Sequence, residues 1–307
     1  MQLRLLILTL FLFLRNTGHS APYFDVAPIE TFSTHRIPCI SVLIEDKKYL
    51  CAFDSGCMGQ LFIVPELLAE IKDKTFSAHS ILQGVRGNKY TLPVYIIPKA
   101  TIGKTEFLET RIQEESRAFL MDGLINQECQ SIDSKAGRVG WELYKPFNLL
   151  LDIPHLRIGC CDSIETLERH GYPIHHYIKA PLLQSSECIG IQLSMKNRTL
   201  NCLLDTGATQ NILNLEGFDR QTVILDSVKI GDEELGPLIF CAFPIKLSFP
   251  IDAILGMDFL LKHTVFIDFK NQCAYISKSY PIFDWNLWNT TVILQNLLNS
   301  QLVQNMH

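Results

Sequence analysis

The chain contains one aspartate-centred motif twice, and this duplication narrows the possible folds more than any other feature. The segment Tyr49–Cys57 has the sequence YLCAFDSGC, and the segment Leu200–Ala208 has the sequence LNCLLDTGA. Each places an aspartate, Asp54 or Asp205, three residues after a cysteine and directly before Ser-Gly or Thr-Gly. An alternating apolar run and a polar turn precede each motif. This pattern predicts a β-hairpin whose second strand ends at the aspartate.

Three further blocks recur in the same order in both halves, and the last pair aligns without a gap. The matched segments are Ala100–Phe107 with Val228–Leu235, Asp122–Ile125 with Asp252–Leu255, and Gly140–Asp152 with Gly256–Asp268. Self-similarity of this kind indicates a duplicated β-rich unit. We therefore expect an all-β, bilobal protein with a cleft between its lobes.

The repeat also predicts how the chain is divided. We expect an N-terminal lobe over residues 35–160, a linker over 161–186 and a C-terminal lobe over 187–280. The linker contains a short helical candidate at 163–170. The amphipathic stretch within residues 281–307 predicts a helical tail.

The first half is longer than the second between its aspartate and its Ile-Gly block. Asp54 lies 49 residues before Gly103, whereas Asp205 lies 26 residues before Gly231, so the first half has 23 extra residues there. They include the segment 81–90, which has glycines near its centre and strand-like flanks. The segment predicts a long hairpin with a mobile tip. An ordinary exposed hairpin is the alternative.

Two aspartates at strand ends, each followed by Ser/Thr-Gly, suggest a single site on a pseudo-twofold axis. Glycine lets the backbone approach a carboxylate closely and donate its N–H, which gives Gly56 and Gly207 a supporting role. The hydroxyls of Ser55 and Thr206 can bond across the axis. Because like charges a few ångströms apart cannot both ionise, one carboxyl of the pair keeps its proton.

The two triplets, together with the sequence DAILGMD at Asp252–Asp258, resemble the aspartic protease clan of pepsins and retropepsins. A lone Asp-Thr-Gly is weak evidence, but two copies with downstream apolar-Gly elements are a strong signal. The resemblance covers roughly residues 35–280. It implies an aspartic endopeptidase in which Asp54 and Asp205 are the catalytic dyad, activating a water molecule without a cofactor.

The resemblance implies roles for neighbouring residues as well. Ser55 and Thr206 would lock the dyad, and the extra hairpin would be a flap that closes over a peptide substrate in extended conformation. The implied flap residues are Gly84, Val85, Arg86, Gly87 and Tyr90. Since one chain carries both aspartates, a monomer is sufficient for activity.

Two features depart from the family pattern. Cys57 stands where the family usually has Ala, Ser or Thr, which places a thiol near the dyad. With no supporting histidine nearby, we expect this cysteine to be packed or disulfide-linked rather than nucleophilic. The block at Asp122–Ile125 is followed by Asn126 instead of glycine, and a polar loop over 126–139 separates it from Gly140.

The N-terminus predicts export. Arg4 precedes an apolar run at Leu5–Leu14, and small residues stand at positions 18 and 20. This layout predicts a signal peptide over residues 1–20 and a secreted or periplasmic protein, with no membrane span in the mature chain. An uncleaved anchor is the alternative. Ten cysteines in an exported chain favour disulfide bonds.

Charge and histidine content exclude other functions. A net charge of -5 without a basic stripe argues against a nucleic-acid partner. His170, His175 and His176 lack the accompanying ligands of a metal site, so none is expected. The alternative function is a catalytically silent protein that uses the same cleft to hold a peptide or to inhibit a partner.

Overall fold

The computed structural model describes residues 22–33, 36–115, 136–185, 187–196, 198–217 and 221–278. The predicted signal peptide (1–20), the predicted helical tail (281–307) and the Asp122–Ile125 block lie outside these ranges.

Alternating side chains form the first hairpin. In strand β3 (Pro38–Ile44), Ile40 and Ile44 are buried while the intervening Leu43 is 40% exposed. The chain then turns at Glu45 and Asp46, whose φ values are 48° and 62°. Two left-handed residues form a tight loop whose twist matches that of the flanking strands. The return strand, β4, covers Lys47–Asp54 and ends at the aspartate.

The first lobe is a closed barrel of six strands with two added strands. Besides β3 and β4, its strands are β2 (Thr31–Phe32), β5 (Leu61–Ile63), β6 (Thr75–Gln83), β7 (Lys89–Ile102), β8 (Thr105–Glu114) and β9 (Gly137–Gly140). The barrel order is β3–β4–β9–β5–β8–β7, and the pairing of Leu43 with Thr101 closes it. Strands β2 and β6 extend the sheet beyond the barrel.

The second lobe repeats this barrel without the added strands. Its strands are β13 (Gly190–Met195), β14 (Arg198–Leu204), β15 (Ile212–Leu213), β16 (Thr222–Ile230), β17 (Glu233–Ala242) and β18 (Ala253–Leu255). The order is β13–β14–β18–β15–β17–β16, closed by Ser194 and Lys229. Strand for strand, this order matches that of the first barrel. The expected all-β, bilobal architecture is therefore confirmed.

One block of the sequence repeat is corrected by the strand pairing. Strand β9 runs parallel to β4 as β18 runs parallel to β14, with Phe53 opposite Val139 and Leu204 opposite Leu255. The counterpart of β18 is therefore β9, and the match of Asp122–Ile125 with Asp252–Leu255 is wrong. The sequence predicts a loop at 126–139, but the last residues of this segment belong to strand β9. A strand is needed there because the barrel closes only if one lies between β4 and β5.

A six-stranded sheet joins the lobes. Its strands are β1 (Phe24–Pro28), β10 (Asn148–Asp152), β11 (Arg157–Cys161), β12 (Ile178–Pro181), β19 (Val265–Asp268) and β20 (Cys273–Ile276), in the order β1–β11–β10–β19–β20–β12. At its centre Leu150 of β10 lies opposite Phe266 of β19, and both are fully buried. The ungapped match of 140–152 with 256–268 makes these two residues counterparts. Equivalent positions face each other at a twofold axis, so the pseudo-twofold axis passes between them.

Short helices connect the strands. The α-helices are α1 (Pro65–Glu70), α2 (Ile164–Arg169) and α3 (Met257–Leu260), and 3-10 helices cover Trp141–Tyr144, Ile153–His155 and Ile174–His176. Helix α2 lies in the segment predicted as a linker, and the Ser163 hydroxyl caps it by accepting from the Thr166 N–H at 3.2 Å. Among the described residues, no helix is both long and apolar enough to cross a membrane.

The expected disulfide bonds do not form among the described cysteines. None of the nine cysteines at positions 39, 51, 57, 160, 161, 188, 202, 241 and 273 is in a disulfide. The strand pairing explains why Cys39 and Cys51, on adjacent strands, are not bonded to each other. Cys51 lies opposite Ile40 and Cys39 opposite Ala52, so the two sulfurs point to opposite faces of the hairpin. The adjacent Cys160 and Cys161 likewise point into different clusters of the core.

Candidate active site

Equivalent strand ends bring the two repeated aspartates together. Asp54 is the last residue of β4, where it pairs with Gly140 of β9. Asp205 directly follows β14, and its N–H donates to Leu255 of β18 at 3.0 Å. Each aspartate is thus held by two paired strands of its own barrel, β4 with β9 or β14 with β18, at the end of the barrel that faces the other lobe.

Ser55 and Thr206 link the two loops across the pseudo-twofold axis. The Ser55 N–H donates to the Thr206 hydroxyl and the Thr206 N–H donates to the Ser55 hydroxyl, both at 2.9 Å. Each hydroxyl donates in turn to a carbonyl of the opposite strand, Ser55 to Leu204 at 2.9 Å and Thr206 to Phe53 at 2.7 Å. Because both residues are fully buried, this set of bonds is shielded from water.

The two glycines after these residues let the carboxylates meet. Gly56 donates its N–H to Asp54 Oδ1 at 3.0 Å, and Gly207 donates its N–H to Asp205 Oδ1 at 2.7 Å. A Cβ at Gly207 would lie 2.7 Å from Asp54 Oδ1, and a Cβ at Gly56 would overlap the Asp205 carboxyl. Only glycine leaves room for the opposite carboxyl at both positions.

The two carboxyls lie side by side. A Cβ built at Gly207 would be 2.7 Å from Asp54 Oδ1 and 3.0 Å from Asp205 Oδ1. Burial, followed by the neighbouring charge of Asp54, raises the pKa of Asp205 well above its ordinary value. Asp205 is therefore a carboxyl whose charged form is disfavoured by its surroundings.

An arginine also contacts the pair. Arg138, in β9, donates from Nη1 to Asp54 Oδ2 at 3.0 Å and from Nε to the Glu115 carboxylate. The side chains of Arg138 and Glu115 are 16% and 0% exposed. Burial raises the pKa of Glu115, against the opposing effect of Arg138. The guanidinium also lies over the Phe62 ring, 5.3 Å from its centroid.

Cys57 is packed and protonated. It belongs to a small apolar cluster with Phe62, Leu82 and Leu92, against which Tyr90 also packs. Burial raises the pKa of the Cys57 thiol far above its ordinary value. A thiol in this state is not a nucleophile.

The predicted hairpin consists of β6 and the first part of β7. Its tip is a short turn in which Gly84 donates to Asn88 and Gly87 donates to Gly84, each at 2.9 Å. The tip contacts the second lobe at Lys246, whose N–H donates to the Val85 carbonyl at 2.9 Å. Gln83 Nε2 donates to the Lys246 carbonyl at 3.1 Å. The hairpin is thus held across the cleft between the lobes.

A cavity of about 630 Å³ lies beneath this hairpin. Both aspartates and Arg138 line it, as do Gly84 and Val85 among the predicted flap residues. Arg86, Gly87 and Tyr90 do not line it; Gly87 packs near Lys246 and Tyr90 near Cys57. Apolar side chains of the second lobe complete the wall, and they include Ile212, Ile239, Leu247, Phe249 and Ile254.

Sequence reasoning missed several residues of the site. Leu82 and Gln83, just before the hairpin tip, line the cavity, and Lys246 holds the tip. Arg138 was missed because Asp122–Ile125 was assigned to its place. The ungapped match begins with Gly140 and Gly256. Extending this alignment by two residues towards the N-terminus would have aligned Arg138 with Ile254.

The histidines take other roles. The His170 ring stacks on Phe24, with centroids 4.1 Å apart, and His175 Nδ1 bonds Glu168 at 3.1 Å. Within the described ranges, no group of three or more His, Cys, Asp or Glu side chains is placed to hold a metal ion.

Comparisons with known proteins identify the architecture. No protein-family model and no curated protein matches the sequence. Among solved structures, the chain is similar to an aspartic proteinase from Irpex lacteus, with 11% identity, a TM-score of 0.55, and coverage of 84% of this chain and 98% of that one. It is also similar to Basic 7S globulin from soybean, with 9% identity, a TM-score of 0.57, and coverage of 84% and 96%. The chain has the bilobal, pepsin-like fold.

Proposed function

We propose that this protein is an aspartic endopeptidase that hydrolyses peptide bonds with the Asp54/Asp205 dyad. The observation that carries the proposal is the pair of neighbouring aspartates, Asp54 and Asp205, which equivalent loops of the two lobes hold beside a cavity between the lobes. The reciprocal bonds of Ser55 and Thr206, reinforced by Gly56 and Gly207, keep this pair in register.

The proposed reaction assigns the shared proton to Asp205 and the role of base to Asp54. Ionised Asp54 removes a proton from a water molecule, whose oxygen attacks the scissile carbonyl carbon. Asp205 donates its proton to the carbonyl oxygen, which gives a neutral tetrahedral intermediate. Collapse of this intermediate breaks the C–N bond as the amine nitrogen takes the proton held by Asp54, and the hydroxyl proton returns to Asp205. No cofactor enters the reaction.

The proposed substrate is a peptide in extended conformation. The hairpin tip, with Gly84, Val85, Arg86, Gly87 and Tyr90, would act as the flap over this peptide. Opening the flap requires breaking its bonds with Lys246. Since both aspartates belong to one chain, a monomer is sufficient for the reaction.

The test is cleavage of a peptide library between acidic and neutral pH. We expect the wild type to cleave, Asp54→Asn and Asp205→Asn to lose activity, and a statine-type transition-state analogue to inhibit. Asp226→Asn is the matched control, because Asp226 is exposed on β16. Activity that survived either dyad substitution would rule out the mechanism.

The second candidate is a catalytically silent protein that binds a peptide in the same cleft. Its support is the likeness to a protein named as a globulin rather than a proteinase. Binding of the statine-type analogue by a folded wild type that cleaves no library peptide would favour this candidate.

We also propose that the protein is exported, on the basis of the signal-peptide pattern in residues 1–20. Expression of the full chain with N-terminal sequencing of the secreted or periplasmic product tests this. A product that begins near Ala21 supports export, and retention of Met1 in the cytoplasm contradicts it.

A further inference from the structure

The two lobes differ chemically at one pair of equivalent positions beside the dyad. In the first lobe, Arg138 lies opposite Ala52 in β4. In the second lobe, Ile254 lies opposite Leu203, which is the counterpart of Ala52 in the repeat. Strand pairing thus equates Arg138 with Ile254.

Glu115, the ion-pair partner of Arg138, is equivalent to Phe243 in the second lobe. Glu115 donates its N–H to Ile63 at 2.9 Å, and Phe243 donates its N–H to Leu213 at 3.0 Å. Ile63 and Leu213 are themselves equivalent, because they lie opposite Gly137 and Ala253 in the two barrels. The buried ion pair Arg138–Glu115 in the first lobe therefore replaces the apolar residues Ile254 and Phe243, which share one core cluster in the second.

Stability does not explain this replacement. A buried ion pair is often no more stabilising than an apolar pair of similar volume, because desolvating the charges offsets their attraction. The second lobe shows that the barrel closes well with Ile254 and Phe243. The charges of Arg138 and Glu115 therefore need a chemical reason, and the nearest chemistry is the carboxylate of Asp54.

The arginine acts on one aspartate only. Arg138 Nη1 donates to Asp54 Oδ2 at 3.0 Å. Asp205 accepts from the Gly207 N–H, and none of the ion pairs among the described residues includes Asp205. The bond network of Ser55 and Thr206 is almost symmetric, whereas Arg138 places a positive charge beside Asp54 alone.

We propose that Arg138, anchored by Glu115, is a positioning residue that keeps Asp54 ionised and leaves the shared proton on Asp205. This inference rests on the proposed function, because it assigns the base and the acid of that reaction. Arg138 need not touch the substrate to do this. It acts through the carboxylate that it holds.

The surroundings of Asp54 allow a pH test. The charged and titratable groups around it are Asp205, Arg138 and Cys57, with Glu115 behind Arg138. Glu187 and Asp258 also line the cavity. Arg138 is the one cation among them. Removing it should move the acid limb of the kcat/KM profile upwards, by about one pH unit or more.

The most informative variant gives the first lobe the residues that the second lobe has at these two positions. Glu115→Phe with Arg138→Ile removes both charges together, so that neither is left buried alone. We expect this double variant to fold and its acid limb to move upwards, whereas Arg138→Lys should restore most of the wild-type profile. Arg111→Met is the matched control, because Arg111 forms an exposed ion pair with Glu142 at 3.1 Å. A folded double variant with the wild-type acid limb would overturn the proposal.

A second measurement does not require activity. Aspartate labelled with ¹³C at the carboxyl carbon allows the dyad to be titrated by NMR, with assignments from Asp54→Asn and Asp205→Asn. We expect Asp54 to ionise at lower pH in the wild type than in the double variant. Equal titration in both overturns the role of Arg138, even if the enzyme cleaves. A difference in titration supports that role, even if no substrate is cleaved and the endopeptidase proposal fails.

Discussion

Ser55 and Thr206 exchange a matched pair of hydrogen bonds across the lobe boundary, each N–H donating to the other hydroxyl at 2.9 Å. The Thr206 hydroxyl also donates to Phe53, so one oxygen satisfies two backbone groups of the first lobe. Both residues are fully buried, and no solvent can replace these bonds.

Replacing Thr206 with Val should therefore weaken the protein. It keeps the side-chain shape but leaves the Ser55 N–H and the Phe53 carbonyl without this partner. We expect the free energy of unfolding to fall by about 2–4 kcal/mol, measured by urea denaturation. Thr206→Ser retains the hydroxyl and is the control. Equal losses in the two variants would show that the methyl group, rather than the bonds, matters.

The raised pKa of Asp205 predicts a pH-dependent stability. The native state holds this proton at pH values where the unfolded chain has released it, so the contribution is complete below the unfolded pKa and is lost as the pH rises through the folded one. Asp205→Asn removes this loss. We expect the variant to gain stability over the wild type as the pH rises from about 4. Denaturation at several pH values measures the gain, and the exposed Asp226→Asn should show none.

The contact of the hairpin tip with Lys246 can be tested at Gly87. Gly87 has φ of +89°, and a Cβ there would lie 3.3 Å from the Lys246 Cβ. Gly171 has the same φ, but a Cβ there would meet nothing within 4 Å. Alanine at either position should cost about 1–2 kcal/mol in backbone strain. Only Gly87→Ala should also speed hydrogen exchange at the Lys246 amide, and equal exchange in both variants would contradict the contact.

The ion pair of Arg138 with Glu115 should matter more for stability when it is broken than when it is replaced. Arg138→Met leaves Glu115 buried alone and should lower the free energy of unfolding by about 3–5 kcal/mol. The double variant Glu115→Phe with Arg138→Ile should stay within about 1 kcal/mol of the wild type. Calorimetry measures both, and Arg111→Met at the exposed pair should cost less than about 1 kcal/mol. A double variant as unstable as Arg138→Met would refute this account.

We expect reducing agents to leave the thermal stability of the protein unchanged. Because none of the nine described cysteines is in a disulfide, the thermal midpoint should be the same with and without a reductant. Alkylation of the native protein should first label Cys241 and Cys273, which are the most accessible of the nine. Mass spectrometry after alkylation in denaturant should find all nine labelled without prior reduction. A midpoint that drops on reduction would contradict the structure.

The repeat predicted much of the fold because it is carried by residues that strands and tight turns require. The ungapped match of 140–152 with 256–268 corresponds to β10 and β19, and the axis passes between Leu150 and Phe266. The two Asp-Ser/Thr-Gly triplets likewise predicted the strand ends that meet between the lobes. Glycine beside a carboxylate is a local requirement, so it is visible in the sequence.

Other features depend on pairing between distant segments. Asp122–Ile125 resembles Asp252–Leu255 in composition, but backbone pairing with β4 gives that place to β9. Arg138 is charged whereas its counterpart Ile254 is apolar, so the two positions do not look alike in the sequence. Lys246 lies 163 residues from Gln83, and no local pattern connects them. Counting cysteines could not show that neighbouring sulfurs point to opposite faces of a strand.

Because the axis passes between Leu150 and Phe266, each half of the chain relies on the other half to pair one of its strands. Separated from the second lobe, β10 would become an edge strand with exposed backbone donors and acceptors. Since β10 and β19 are equivalent strands that already pair antiparallel, that edge has the geometry to pair with a copy of itself. A chain of half this length would therefore be prone to form an isologous dimer with the two aspartate loops brought face to face.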